Sequence, residues 1–305
     1  MSDLLRPYLS IVIGITEASQ YISLLHDTSM YLSRCVELVI VDQVTTHHSH
    51  RIDSPYSRVL FCGRPIGASK ARNIGACNAS GLYVWFVDSD CTFGAGSFST
   101  LVAFISKNSH LDLLIFDRVY SRECSSKIYC TPASSSGCLS SGELLRSVTE
   151  WNFAVKKSLF LNVKGFPLIG TGSTHPAQSG ECYGLICKIV SVNPLCAKVD
   201  DVRVVHPHYA ARKPFFKTLG YYYGAGYAVC RYSPLLKGQA ALVQLSKNLA
   251  GTVYVLFRPL SDMLLPELLP LFNLPILIRP LLLLARFAGS LHGLFAFARS
   301  LCVPL

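Results

Sequence analysis

Three runs, YLSIVIGI (8–15), VELVIVDQ (36–43) and LYVWFVDSD (82–90), are apolar at consecutive rather than alternate positions. A strand of this kind is buried on both faces, the signature of a parallel sheet covered by helices. The intervening sequence carries the helical period. Tyr21, Leu24, Leu25 and Leu32 recur on one face of 16–34, and Gly67 opens a second helix over 67–80. A third buried strand is expected at 57–63, a helix at 96–108 and a further strand at 111–120. Strands alternating with helices predict an α/β fold with a doubly wound, mainly parallel sheet. Ligands of such sheets lie outside the carboxyl ends of the strands. Asp42 and Asp88 both fall at such ends and should share one crevice.

The strand at 82–90 drives into two carboxylates, Asp88 and Asp90, one residue apart. Either they terminate the strand and are solvated, or they hold a cation together with that cation's ligand. Composition narrows the choice of partner. The chain has 305 residues, half of them hydrophobic and 15% charged, with a net charge of +10. From Arg203 onward eleven Lys or Arg stand against two acids, Asp262 and Glu267. The excess sits beside apolar sequence rather than in a basic block, so an anionic membrane surface is expected and nucleic acid is not. Twelve cysteines are scattered, several within apolar runs, and read as reduced core residues of a cytoplasmic protein. No basic start followed by an apolar signal region opens the chain.

A Ser/Gly-rich stretch (130–145) reads as a loop leading into a helix, and VVHPHY (204–209) closes the last expected strand. Composition shifts near Ala210, which divides the chain into 1–209 and a basic, apolar helical region, 210–305. Within 251–305 prolines at 259, 266, 270, 275 and 280 cut the apolar sequence short of the roughly 20 residues a spanning helix needs. Helices lying in the membrane interface are expected, with Arg258, Arg279, Arg286 and Arg299 near lipid phosphates. Helices capping the catalytic domain, a dimer interface and a spanning pair are the alternatives.

LSIVIGI, ELVIVDQ, GASKARNIGACNASGLYVWFVDSD and GTGSTHPAQSGECYG occur in the order found in family 2 glycosyltransferases, and the chain resembles that family from about residue 8 to 209. The third piece is the most specific, because a Gly-x-Ser-x-Ala-Arg-Asn-x-Gly helix feeding an Asp-x-Asp strand is the family's hallmark. The resemblance implies a GT-A fold, a nucleotide-sugar donor, Mn2+ or Mg2+ as cofactor and an inverting transfer. It implies an acceptor that is lipid-linked or a growing glycan of a bacterial surface polysaccharide, reached at the cytoplasmic face of the membrane.

Residue by residue, the resemblance places Asp90 on the metal and Asp88 near the ribose or a metal-bound water. It places Asp42 at the nucleotide base, with Ile15 and Glu17 in the first turn beside it. Gln43 stands where a second acid is frequent, and Gly14 and Ile15 replace the usual Pro-Thr. Arg72 matches the family's arginine. Lys70, two positions earlier, points about 200° away on a helix, so donor binding and a solvated surface role both remain open for it. Glu181 fits the base that takes the acceptor proton, or else a favourable first-turn acid. The further aspartate expected beyond it is missing, with Cys182 and Gly184 in its places. Trp151 and Asn152 line an acceptor pocket or belong to the core. His206, less so His208, could supply a late metal ligand, and HHSH (47–50) reads as solvated loop.

The departures at 43 and 184 leave a second reading, a nucleotide-binding or scaffold subunit that has lost catalysis. A dinucleotide-dependent oxidoreductase is excluded, since Gly14 begins no Gly-x-Gly-x-x-Gly turn.

Overall fold

The computed structural model describes residues 7–17, 33–44, 54–121, 139–207, 215–236, 241–249 and 278–302. Residues 18–32 of the expected helix at 16–34, the HHSH run, His208 and all of 251–277 lie outside them. The chain divides into two compact units: Met1–Phe166 with Val192–His208, and Pro167–Ser191 with Tyr209–Leu305.

The first unit is built on an eight-stranded mixed sheet of the α/β, GT-A-like kind. Its strands are β1 (Leu9–Ile15), β2 (Val36–Asp42), β3 (Ser57–Phe61), β4 (Tyr83–Val87), β5 (Thr92–Phe93), β6 (Leu113–Ser121), β7 (Phe153–Lys156) and β8 (Cys196–Pro207). Their order is β3-β2-β1-β4-β7-β6-β8-β5. The pairs β1–β2, β1–β4, β2–β3 and β6–β8 are parallel, and β4–β7, β6–β7 and β5–β8 antiparallel. The strands β2 and β4 are buried throughout, the charged Glu37 and Asp42 of β2 included. The expectation for 57–63 is corrected: β3 is an edge strand of five residues, and Val59 and Phe61 are exposed. An apolar run does not report whether a strand has one neighbour or two.

Side chains on β4 alternate between faces. Trp85 meets Phe93, Phe98 and Phe116 on one, with centroids 4.8–5.7 Å away. Phe86 meets Phe160 and Phe166 on the other, at 5.0 and 4.9 Å. The buried Trp85 indole donates to the Trp151 carbonyl at 2.8 Å, so its polar edge is satisfied. Helices α1 (Ala68–Asn78) and α2 (Ser97–Lys107) fall where the sequence predicts them. A third, α3 (Ser141–Ser147), starts at a capping box: Ser140 and Glu143 satisfy each other's backbone N–H groups. The short α4 (Lys157–Asn162) follows β7 directly.

The second unit is helical: α5 (Glu181–Ser191), α6 (Phe215–Tyr232), α7 (241–249) and α8 (Ile278–Cys302). Here 278–302 corrects the expectation of broken helices. It is one continuous helix, because Pro280 lies in its first turn, where a missing N–H has no partner to lose. The helices α6 and α8 approach closely: a Cβ at Gly289 would stand 2.0 Å from the Tyr223 carbonyl oxygen, and one at Gly293 2.4 Å from that of Tyr227. Arg286 does not reach outward as expected. It turns inward and donates from Nε and Nη2 to Asn248 Oδ1, at 3.1 and 2.9 Å.

Candidate active site

Register sets the site. Ile13 pairs with Val87 and Ile15 with Asp42, so β2 and β4 end at one edge of the sheet on either side of β1. Past Asp88 the chain turns, with the Cys91 N–H donating to the Asp88 carbonyl at 3.0 Å. It re-enters the sheet as β5, with Thr92 opposite Val205 and Phe93 opposite Val204. That two-residue ladder carries Asp90 and Cys91 to β8, where His206 follows Val205. The His206 Nε2 lies 3.5 Å from Asp90 Oδ1 and 3.6 Å from Asp88 Oδ2. Trp151 stacks on the imidazole, centroids 5.4 Å apart and planes 23° apart.

Arg72 is buried although charged, and Asp88 compensates it through a 2.7 Å ion pair from Nη2 to Oδ1. The guanidinium lies over the Phe166 ring, 5.4 Å from its centroid. Asn73 fixes that ring from behind, donating to the Phe166 carbonyl and accepting from its N–H, both at 2.9 Å. The Ala-Arg-Asn triplet thus does two things: Arg72 holds the carboxylate, and Asn73 holds the surface on which Arg72 rests. Burial pushes the Asp88 carboxyl up, but the Arg72 guanidinium and the His206 imidazole outweigh it and hold it at about 2.

Lys70 faces solvent on the same helix, as residues two apart require. It joins a second group instead. Burial and the Asp42 charge raise the Cys62 thiol, while Lys70 lowers it. Asp42 is buried and accepts from the Val44 N–H at 2.8 Å. Gln43 is also buried; its Oε1 accepts from the Ile66 N–H at 2.9 Å, which latches the loop before α1. The expectation for Ile15 is corrected at the side chain, which lies wholly in the core. Glu17 is exposed beyond the strand.

The acceptor assignments change. The Asn152 amide is 1% exposed and uses all four of its hydrogen-bonding positions within the chain. It donates to the carbonyls of Phe116 and Ser147, and it accepts from the N–H and hydroxyl of Thr149. It pins the turn into β7 and has nothing left for a sugar. Trp151 is buried and backs His206.

Glu181 belongs to the second unit. It opens α5 and is buried, with its carboxylate against Gly170: a Cβ there would stand 2.4–2.6 Å from the carboxyl atoms. The loop that carries it is tied to α6 by Thr171 Oγ1 with the Tyr221 hydroxyl, 2.9 Å, and Ser179 Oγ to the Tyr221 carbonyl, 2.8 Å. Cys182 is buried, and a Cβ at Gly184 would stand 2.8 Å from Pro167 Cγ. Packing therefore leaves no room for a second acid at 184.

Sequence reasoning passed over Cys91 and Phe166. Cys91 directly follows Asp90, and its thiol, the Asp90 carboxylate and the His206 ring lie within 4.8 Å of one another. An ion bonded at about 2.1 Å holds neighbouring donor atoms roughly 3.0–3.5 Å apart. The 3.5 Å between His206 Nε2 and Asp90 Oδ1 fits such an ion, and Asp88 Oδ2 lies beside them, 3.6 Å from His206 Nε2.

Residues 31–129 match the family model described as glycosyl transferase family 2. No curated protein matches the chain. The solved structure of S. aureus TarS 1–349 aligns over 96% of this chain and 91% of that one, with a TM-score of 0.58 and 16% identity. Its complex with UDP-GlcNAc aligns over the same shares with a TM-score of 0.60 and 15% identity. At such identity the likeness speaks for the fold. With the family match, the chain carries a glycosyltransferase domain.

Replacing Arg72 by Met keeps contact with Phe166 and removes the charge. Burial then acts on Asp88 with less opposition, and its titration, followed by carboxyl carbon NMR, is expected to move up from about 2. In the wild type the depressed value contributes stability that is complete above the ordinary 3.8 and lost as pH falls through about 2. The variant is expected to lose less stability across that window. A carboxyl still titrating near 2 in the variant would remove Arg72 as the cause.

Proposed function

We propose that this chain is a divalent-cation-dependent, inverting glycosyltransferase that moves a sugar from a nucleotide-sugar to a glycan or lipid-linked acceptor. The observation that carries the reading is that His206 Nε2 lies 3.5 Å from Asp90 Oδ1 and 3.6 Å from Asp88 Oδ2, past the carboxyl end of β4. The family match and the likeness to TarS, solved with UDP-GlcNAc, support a nucleotide-sugar donor.

Asp90 and His206 would hold Mn2+ or Mg2+, with Asp88 beside them. The cation, when bound, would neutralise the donor diphosphate as negative charge builds on the leaving group. The chain's own residues do the rest. Arg72 keeps Asp88 ionised and oriented toward the cation. Trp151 fixes the plane of the His206 ring. Asp42 is assigned to an N–H of the nucleotide base, with Lys70 and Glu17 at its rim. Glu181 is assigned as the base that takes the acceptor hydroxyl's proton, its carboxylate packed against Gly170, where only a glycine leaves it room.

The second part of the reading is the membrane. The helix segment Leu281–Ser300 is long and apolar enough to cross one by length and composition. Leu281, Leu284, Phe287, Leu291, Leu294 and Phe295 recur at three and four residues and are all exposed, Phe295 to 73%. They form one outward stripe, opposite the glycines that meet α6. An apolar stripe on a chain of net charge +10 fits an anionic membrane interface, which would bring a lipid-linked acceptor to the cytoplasmic face.

Two assays test these assignments. With UDP-GlcNAc as first donor and Mn2+ present, Asp90→Asn is expected to abolish transfer and the cation dependence of donor binding. Glu181→Gln is expected to bind donor normally and lose roughly 10²–10⁴ in turnover. Near-normal turnover by the Asp90 variant would overturn the cation site, and equal losses in binding and rate would make Glu181 structural.

In flotation, the wild type is expected to rise with anionic vesicles. A variant carrying Asn at 284, 287, 291 and 295 is expected to remain below. A wild type that stays below at low salt, or pairs through the stripe in sedimentation, would contradict the membrane reading.

A further inference from the structure

We infer that Cys91 is a third protein donor at the cation site and biases it toward thiophilic ions of the Zn2+ class. The inference rests on the reading of Asp90 and His206 as cation ligands and adds a donor to them. Three observations carry it. The Cys91 thiol, an Asp90 carboxylate oxygen and a His206 ring nitrogen are mutually within 4.8 Å. Cys91 is also held from both sides: its N–H donates to the Asp88 carbonyl, and the β5–β8 ladder begins at the next residue. Finally, the thiol is buried, away from bulk solvent, while the two partner side chains remain partly accessible and leave an ion a way in.

The donor chemistry favours this class of ion. Zinc bonds to sulfur, imidazole nitrogen and carboxylate oxygen run from about 2.0 to 2.3 Å, which places neighbouring donors roughly 3.3–3.7 Å apart. The 3.5 Å between His206 Nε2 and Asp90 Oδ1 meets this already. The sulfur needs a shift of about 1 Å at most to complete the set. A site of oxygen donors alone suits Mg2+ or Mn2+, whereas one thiolate and one imidazole favour softer ions. On binding, the zinc–sulfur bond forms as the thiol proton passes to solvent. Zn2+ would then compete with the hard ion that the donor diphosphate prefers.

Co2+ is the probe, because a cobalt–thiolate bond adds a charge-transfer absorption that oxygen and nitrogen donors do not give. The full-length wild type is expected to show that band at one equivalent. Cys91→Ser should abolish it, and so should His206→Gln, since both donors share one ion. Zn2+ affinity of Cys91→Ser is expected to fall by more than the roughly 10–100-fold that loss of an outer-shell partner costs. Its Mn2+ affinity should hold. Far-ultraviolet circular dichroism checks folding, and Cys91→Ala replaces the serine variant if that one is unfolded.

A band that survives in Cys91→Ser or Cys91→Ala would place the thiolate elsewhere and overturn the inference. Cobalt bound with no thiolate band would also overturn it, while leaving Asp90 and His206 as ligands. No binding of Co2+ or Mn2+ by the wild type would remove the cation site itself, and this inference with it.

Discussion

The two-residue pairing of β5 with β8 is the contact on which the site depends. Strand β4 ends in the middle of the sheet, next to β7, and β8 lies beyond β6. Nothing in β4 itself brings Asp90 toward a residue more than a hundred positions later. The return of the chain at Thr92, opposite Val205, does so with two backbone pairs. Once that register is set, His206 faces both carboxylates and Trp151 supports its ring. Asp88 needs a second constraint, because burial alone would favour its neutral form. Arg72 supplies it, and Phe166 and Asn73 hold Arg72 where it must be.

Half of this was legible in the sequence. Runs that are mostly apolar at consecutive positions identify β1, β2 and β4 and place Asp42 and Asp88 at strand ends, since burial on both faces leaves a one-dimensional mark. The divergence of Lys70 from Arg72 follows from helical geometry alone. A ladder of two residues has no periodicity, so β5 left no trace and Cys91 passed unnoticed. Asn152 stands beside the tryptophan that backs His206, yet only its partners at Phe116, Ser147 and Thr149 reveal a structural pin. Pro280 misled in the opposite direction. A proline reads as a break unless the first turn of a helix is known to begin two residues before it.

The second unit has its own internal logic. The loop that presents Glu181 is tied to α6 at Tyr221, and α6 in turn lies backbone-close to α8 at Gly289 and Gly293. His175, in the same loop, stacks on His292 of α8 at 5.5 Å. The proposed base and the exposed apolar stripe therefore belong to one packed body. In the proposed function, a membrane contact made through α8 would bear on the same body that carries the base. Small residues at the α6–α8 seam make this possible, since a single Cβ there would force the helices apart.

The central claim is that Asp90 and His206, brought together by β5, hold one divalent cation. Paramagnetic broadening by Mn2+ tests it most directly, read on the histidine imidazole resonances of the full-length protein. At substoichiometric Mn2+ the His206 signal is expected to vanish first, while His110, exposed after α2, stays sharp. Asp90→Asn is expected to restore the His206 signal. A His206 resonance that survives saturating Mn2+, or broadens no faster than His110, would contradict the claim.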